Sequence, residues 1–163
     1  MIILNSEMNN FFLSRSEMKV PSNLEVQVLE GFYEDFGVIV FNFYKNRLEN
    51  GNYETIISRY KDLTGFESSM NRIHIDDYID NEKYKISEVI DIGFALVELV
   101  QSLWNKLRTD ECTIILSTDL ESEFGSNASV TFHKKRIDEV LIDNLDGCIQ
   151  PVFICDNNDS IVR

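Results

Sequence analysis

The spacing of hydrophobic positions along the chain changes near Asp110. Before that point apolar residues recur mostly at three- and four-residue intervals, the period of a helix face. After it, short β-rich runs alternate with polar turns. The longest helical stretch covers Ser87 to Arg108. Ser87 suits an N-cap, Glu88 and Asp91 suit the positive end of the helix dipole, and Lys106 and Arg108 suit the negative end. Val89, Ile90, Phe94, Val97, Val100, Leu103, Trp104 and Leu107 form one wide stripe. Ile92, Leu96 and Leu99 widen it further, so the pattern predicts a helix buried on most sides. Asp91 and Glu98 argue against a membrane span, and Gly93 leaves room for a neighbouring element to approach closely.

A second helix is predicted from Leu29 to Leu48, with Phe32, Tyr33, Phe36, Val40, Phe43 and Leu48 at compatible spacing. Gly31 and Gly37 weaken it, and Val38-Ile39-Val40-Phe41 also reads as a strand. Asn50-Gly51 makes a stop. Asn52 then caps a shorter helix carrying Tyr53, Ile56, Ile57, Tyr60 and Leu63 on one face, ended by Gly65. Met8, Phe11, Phe12 and Met18 predict another short helix near the start. The last third reads as an antiparallel meander: Cys112 to Thr118, Ser129 to Arg136, Glu139 to Leu145, a turn at Asp146-Gly147, and Val152 to Cys155. Val130 and Phe132 share one face of the second strand, and Thr131, His133 and Lys135 share the other, which predicts one covered and one wet face. These elements make a single α+β domain over residues 1–163. Its helical N-terminal two-thirds pack on a C-terminal antiparallel sheet of about four strands.

Composition adds one strong signal. The hydrophobic fraction of 44% is ordinary for a globular chain, but 28 Asp and Glu against 15 Lys and Arg give a formal net charge of −13. A field of that sign repels nucleic acid and anionic membranes, and it steers basic partners inward. Acids gather first at Asp76, Asp77, Asp80 and Glu82. They gather again at Asp119, Glu121 and Glu123, in the loop joining the first two C-terminal strands. From Asp110 to Arg163 eleven acids are opposed only by Lys134, Lys135, Arg136 and Arg163, so the sheet end is expected to be the negative pole. Lys134-Lys135-Arg136 is too short to argue for nucleic-acid binding and reads as a solvated strand edge.

Catalytic chemistry finds no foothold. There is no nucleophile elbow, no P-loop and no dinucleotide fingerprint, so no catalytic residue is predicted. Cys112, Cys148 and Cys155 form no CxxC pair and read as reduced thiols in or near a core. His74 stands beside the first acidic cluster, but the other histidine, His133, is far away in sequence, and the glycine of a calcium loop is missing. Neither a metal nor a cofactor is predicted. The first residues lack a basic segment and a long apolar run, and no stretch approaches the ~18 apolar residues of a membrane span, so the chain reads as cytoplasmic.

Small size, strong acidity, a helical first part and a strand-rich end from Cys112 to Cys155 together resemble an immunity protein of a bacterial contact-dependent growth-inhibition or related polymorphic-toxin system. The resemblance implies a specific inhibitor rather than an enzyme, one that binds the C-terminal toxin domain delivered by a neighbouring cell. Many such toxins are nucleases, basic because they must hold phosphates. Asp76, Asp77, Asp80, Glu82, Asp119, Glu121 and Glu123 are then the candidate partner-binding residues, with His133 near the contact. Pro151 cannot donate a ladder hydrogen bond, which suits Val152 to Cys155 to an edge where a partner adds a strand. An acidic DNA mimic or antitoxin-like regulator shares the charge argument. A small cytoplasmic enzyme, its site assembled by tertiary contacts, is the third class.

Overall fold

The computed structural model describes residues 1–49, 53–120, 127–142, 145 and 147–161. Among these, six α-helices and seven strands follow one another in the order β1 (Ile3–Leu4), α1 (Ser6–Ser14), α2 (Ser22–Leu29), β2 (Phe32–Asp35), β3 (Val38–Phe41), α3 (Asn46–Glu49), α4 (Tyr53–Tyr60), α5 (Leu63–Met70), β4 (Ile73–His74), α6 (Ile86–Leu107), β5 (Cys112–Asp119), β6 (Asn127–Lys134) and β7 (Val152–Asp156). The class is α+β, as the two periods predict. The main sheet has five antiparallel strands in the order β1-β7-β5-β6-β4, and β2 and β3 form a separate hairpin. Three strands of the main sheet are C-terminal. Its two-residue outer strands come from the first and middle parts of the chain.

α6 crosses one face of this sheet. Ile90, Phe94, Val97 and Trp104 are buried with Ile114, Leu116, Val130, Phe132 and Phe153 in one core. Phe12 meets Phe94 edge-on at 5.6 Å and stacks on Phe153 of β7, and Phe32 meets Trp104 at 4.9 Å and Phe132 of β6 at 5.3 Å, so aromatic rings close the flanks between helix and sheet. Gly93 is the point of closest approach: a Cβ there would lie 2.6 Å from Leu116 Cδ1. The helix starts one residue before the predicted cap. The Glu88 carboxylate accepts the Lys85 backbone N–H at 2.8 Å, which leaves Ser87 inside the first turn.

Several predicted elements are replaced by others. No helix spans residues 29–48. α2 ends at Leu29, Gly31 turns the chain at φ +84°, and the hairpin β2–β3 follows. Phe36 and Gly37, at φ 50° and 78°, supply the two positive-φ residues that a tight hairpin loop requires. Val38 to Phe41 are all buried, so the β-branched run wins over the helical spacing. The caps at Asn50, Gly51 and Asn52 lie outside the described residues. Gly65 does not end a helix but sits within α5, where the Asp62 carboxylate accepts its N–H at 2.8 Å. A Cβ at Gly65 would stand 2.5 Å from the Tyr60 carbonyl oxygen. The strand predicted at Glu139 to Leu145 is not formed among the described residues; Glu139 makes only an isolated bridge with Arg136. Asp143 and Asp146 lie outside those residues.

The second sheet face is covered, not wet. Thr131 and His133 are buried. α5 packs over β6, with Thr131 Oγ1 donating to the Ser68 carbonyl. Ile115, Val152 and Ile154 are buried against Leu145, and Ile142 packs on that cluster. Nor is β7 an edge: β1 pairs along one side, Ile3 opposite Ile154 and Leu4 opposite Phe153, and β5 along the other.

Candidate functional site

The strand register sorts the predicted partner-binding residues into two places. β4 pairs with β6 so that His74 faces Ser129, and the chain then runs on as a 3-10 turn, Ile75–Asp77, toward Asn127. Asn127 itself faces Asp119 at the end of β5. Asp76 and Asp77 therefore share one end of the sheet with Asp119, more than forty positions further along the sequence. Asp80 and Glu82 follow in the connection to α6, where Asp80 meets Lys83 at 2.8 Å. Glu121 and Glu123 lie outside the described residues. His133 is elsewhere, six positions along β6 from Asn127, about 20 Å at the strand rise.

At the acidic end Asp77 is exposed and Asp76 half-buried, and Asp76 Oδ1 has no hydrogen-bond partner among the described residues. Burial pushes the Tyr44 and Tyr78 hydroxyls up, with a smaller push from the negative charge of Asp77 and opposition from the Arg47 charge. Tyr78 Oη donates to Gln27 Oε1 at 2.9 Å, and the Arg47 guanidinium stands 3.9 Å from the Tyr44 ring centre. Tyr44 did not stand out in the sequence, because more than thirty positions separate it from Asp77 and Tyr78.

The opposite end carries the basic triplet, and it is not a solvated edge. Arg136 meets the buried Glu67 carboxylate at 2.6 Å. Lys134 pairs with Asp110 at 2.9 Å, and Lys135 with Asp156 at 2.8 Å and Glu111 at 3.7 Å. Hydrogen bonds from Arg108 and Lys134 hold the Asp110 carboxyl well below the usual carboxylate range. The outer edge of β6 beyond its pairing with β4 is closed by α5 side chains. Glu67 Oε2 accepts the Lys134 N–H at 2.7 Å, and Asn71 Nδ2 donates to the Phe132 carbonyl at 3.3 Å.

Between these pairs a cavity of about 520 Å³ opens on the second sheet face. Ile3, Ile115 and Ile154 form its floor. Thr113, His133, Lys135 and Asp156 form a polar wall, and the segment from Ile137 to Ile142 forms its roof. Ile137 and Val140 in that roof are 99% and 59% exposed, large apolar surface for two neighbouring positions. His74 lies four residues away along the sheet from His133, about 13 Å, so the two histidines do not converge. Burial pushes the Cys155 thiol up to about 12 and the Cys112 thiol higher still, so both are inert core groups, whereas Cys148 is exposed against expectation.

Residues 3–163 match the family described as Uncharacterized protein PM0498 family. The chain belongs to that family. Uncharacterized protein PM0498 of Pasteurella multocida (strain Pm70) is 26% identical to it, over 94% of this chain and 99% of the relative. The match to the PM0498 family thus takes in the sheet, the hairpin and the cavity segment alike. No solved structure matches it. No helix among its described residues is long and apolar enough to cross a membrane.

Proposed function

We propose that this PM0498-family protein is an inhibitor of the immunity type: it binds a basic toxin domain, a nuclease in its most specific form, in a stoichiometric complex in the cytoplasm. It needs no turnover, metal or cofactor for this. The observation that carries the reading is the gathering of Asp76, Asp77 and Asp119 at one sheet end while the cations of the other end are consumed internally. Among the described residues Asp76, Asp77 and Glu82 stand in no ion pair, and Asp77 and Glu82 are exposed, so those two charges face outward. Such a surface accelerates capture of a basic partner and fixes its orientation. Tyr44, Tyr78 and Arg47 beside Asp77 are the residue types that dominate binding energy at protein interfaces. The strand-addition site at Val152 to Cys155 has no part in this, because β1 occupies that edge.

The test is to express the domains encoded by the neighbouring reading frames, each alone and with this chain. The reading predicts that one of them arrests growth, that co-expression restores it, and that the pair elutes as a one-to-one complex. If no neighbouring domain is toxic, or the toxic one is neither bound nor relieved, the reading is wrong.

A further inference from the structure

The cavity of the second sheet face has features that the acidic end does not use. His133 is only 5% exposed, and its Nδ1 lies 3.0 Å from the Lys134 carbonyl oxygen. A carbonyl only accepts, so Nδ1 carries the hydrogen and Nε2 is the acceptor of a neutral ring. Burial depresses the proton affinity of His133, which keeps the ring neutral near pH 7. Nε2 has no protein partner among the described residues and is not sealed from solvent, so it is an acceptor open to a donor that enters the cavity. The floor beside it, Ile115 and Ile154, is apolar, and the roof adds the exposed side chains of Ile137 and Val140. The charged rim groups are already matched. Lys135 lies between Asp156 and Glu111, and Arg136 between Glu67 and Glu139. An ionic ligand entering here would have to break one of these pairs, so charge selects against it. A volume of about 520 Å³ falls within the range of small-molecule sites, and the mixture of apolar lining with one convergent polar group is their usual chemistry.

We infer that this cavity binds an uncharged small molecule with an apolar body and one hydrogen-bond donor, the donor meeting His133 Nε2 and the body lying between Ile115 and the roof of Ile137 and Val140. This site is separate from the acidic end and stands or falls independently of the inhibitor reading.

The probes are indole, 1-methylindole, which lacks the donor, and 2-naphthoate, an anion whose larger apolar body would favour it if charge were tolerated. Each is titrated into the full chain labelled with ¹⁵N at histidine, followed by calorimetry and by the His133 nitrogen resonances. Indole saturates one site and moves the Nε2 resonance, 1-methylindole binds about tenfold more weakly, as loss of one hydrogen bond implies, and 2-naphthoate is weaker than indole. His133→Phe removes the difference between indole and 1-methylindole. Ile115→Trp fills the cavity and abolishes binding, and its cooperative melting reports that it still folds. Equal affinity of the two indoles for the unmodified protein, tighter binding of the anion, shifts outside the cavity, or no saturable shift up to the solubility limit would each overturn the inference.

Discussion

The Glu67 carboxylate, fully buried, lies 2.6 Å from the Arg136 guanidinium and joins three parts of the molecule. Its Oε1 accepts the Ile39 N–H of β3 at 2.8 Å, and its Oε2 accepts the Lys134 N–H of β6 at 2.7 Å. Arg136 continues the link by donating to the Gly37 carbonyl in the hairpin loop at 2.8 Å. One turn further along α5, Asn71 does the same work without charge: Oδ1 takes the Phe41 N–H at 3.0 Å, and Nδ2 donates to the Ile39 carbonyl at 2.9 Å. The hairpin and the main sheet are thus joined by two side chains that substitute for a strand ladder. Every polar group at this seam is matched, which a low-dielectric interior demands.

Glu67→Ala removes the buried negative partner, leaves Arg136 only the longer 3.8 Å pair with Glu139, and strips the Ile39 and Lys134 N–H groups of their acceptor. Unfolding in urea is expected to show a loss of about 3–5 kcal/mol, the range for breaking one side of a buried pair. A loss below about 1 kcal/mol would mean that the hairpin does not depend on this contact.

Part of this architecture was legible in the chain. The stripe from Val89 to Leu107 specifies α6, and Cys112 to Thr118 specifies β5, because each period persists long enough to exclude the other. The hairpin is masked by Phe32, Tyr33 and Phe36, whose spacing also fits a helix; only the positive φ at Phe36 and Gly37 decides the matter. Glu67 and Asn71 look like ordinary surface polar residues of a short helix. Nothing local marks them as buried, since their partners come from residues 28 to 69 positions away. The acidic clusters were visible as clusters, but the meeting of Asp76 and Asp77 with Asp119 at one sheet end depends on the pairing of β4 with β6. The cavity was hidden for a related reason: its roof, Ile137 to Ile142, has the composition of a strand and does not form one.

Gly65 and Gly93 both allow close approach, but against different neighbours. At Gly65 the obstacle is the backbone oxygen of Tyr60, 2.5 Å from where a Cβ would stand. At Gly93 the nearest atom, at 2.6 Å, is the flexible end of Leu116, and alanine regains helix propensity of up to about 1 kcal/mol. Gly65→Ala is expected to cost about 1–3 kcal/mol, as overpacking against fixed atoms does. Thermal unfolding should place its midpoint clearly below that of Gly93→Ala. The reverse order would show that the turn at Lys61 and Asp62 yields more easily than the α6 contact.

His133 gives the fold a pH dependence whose sign follows from its burial. Its proton affinity is depressed in the folded chain below the usual 6.5, chiefly by desolvation; the Lys134 carbonyl, Glu67 and Asp156 oppose this, while Arg136 adds to it. As pH falls through 6.5 the unfolded chain takes up a proton that the folded chain refuses, so stability declines until the folded value is reached. Above 6.5 the contribution is constant. Urea unfolding at a series of pH values should show this decline, and His133→Phe should flatten it. An unchanged slope in that variant would assign the dependence to other groups.

Hydrogen exchange on the free chain and on its complex with the toxin domain tests the binding account most directly. Slowed exchange on binding is predicted in residues 73–79, 116–120 and 127–129, where the sheet register brings Asp76, Asp77 and Asp119 together. Protection confined to residues 131–142 and 152–156, with the acidic end unchanged, would contradict it.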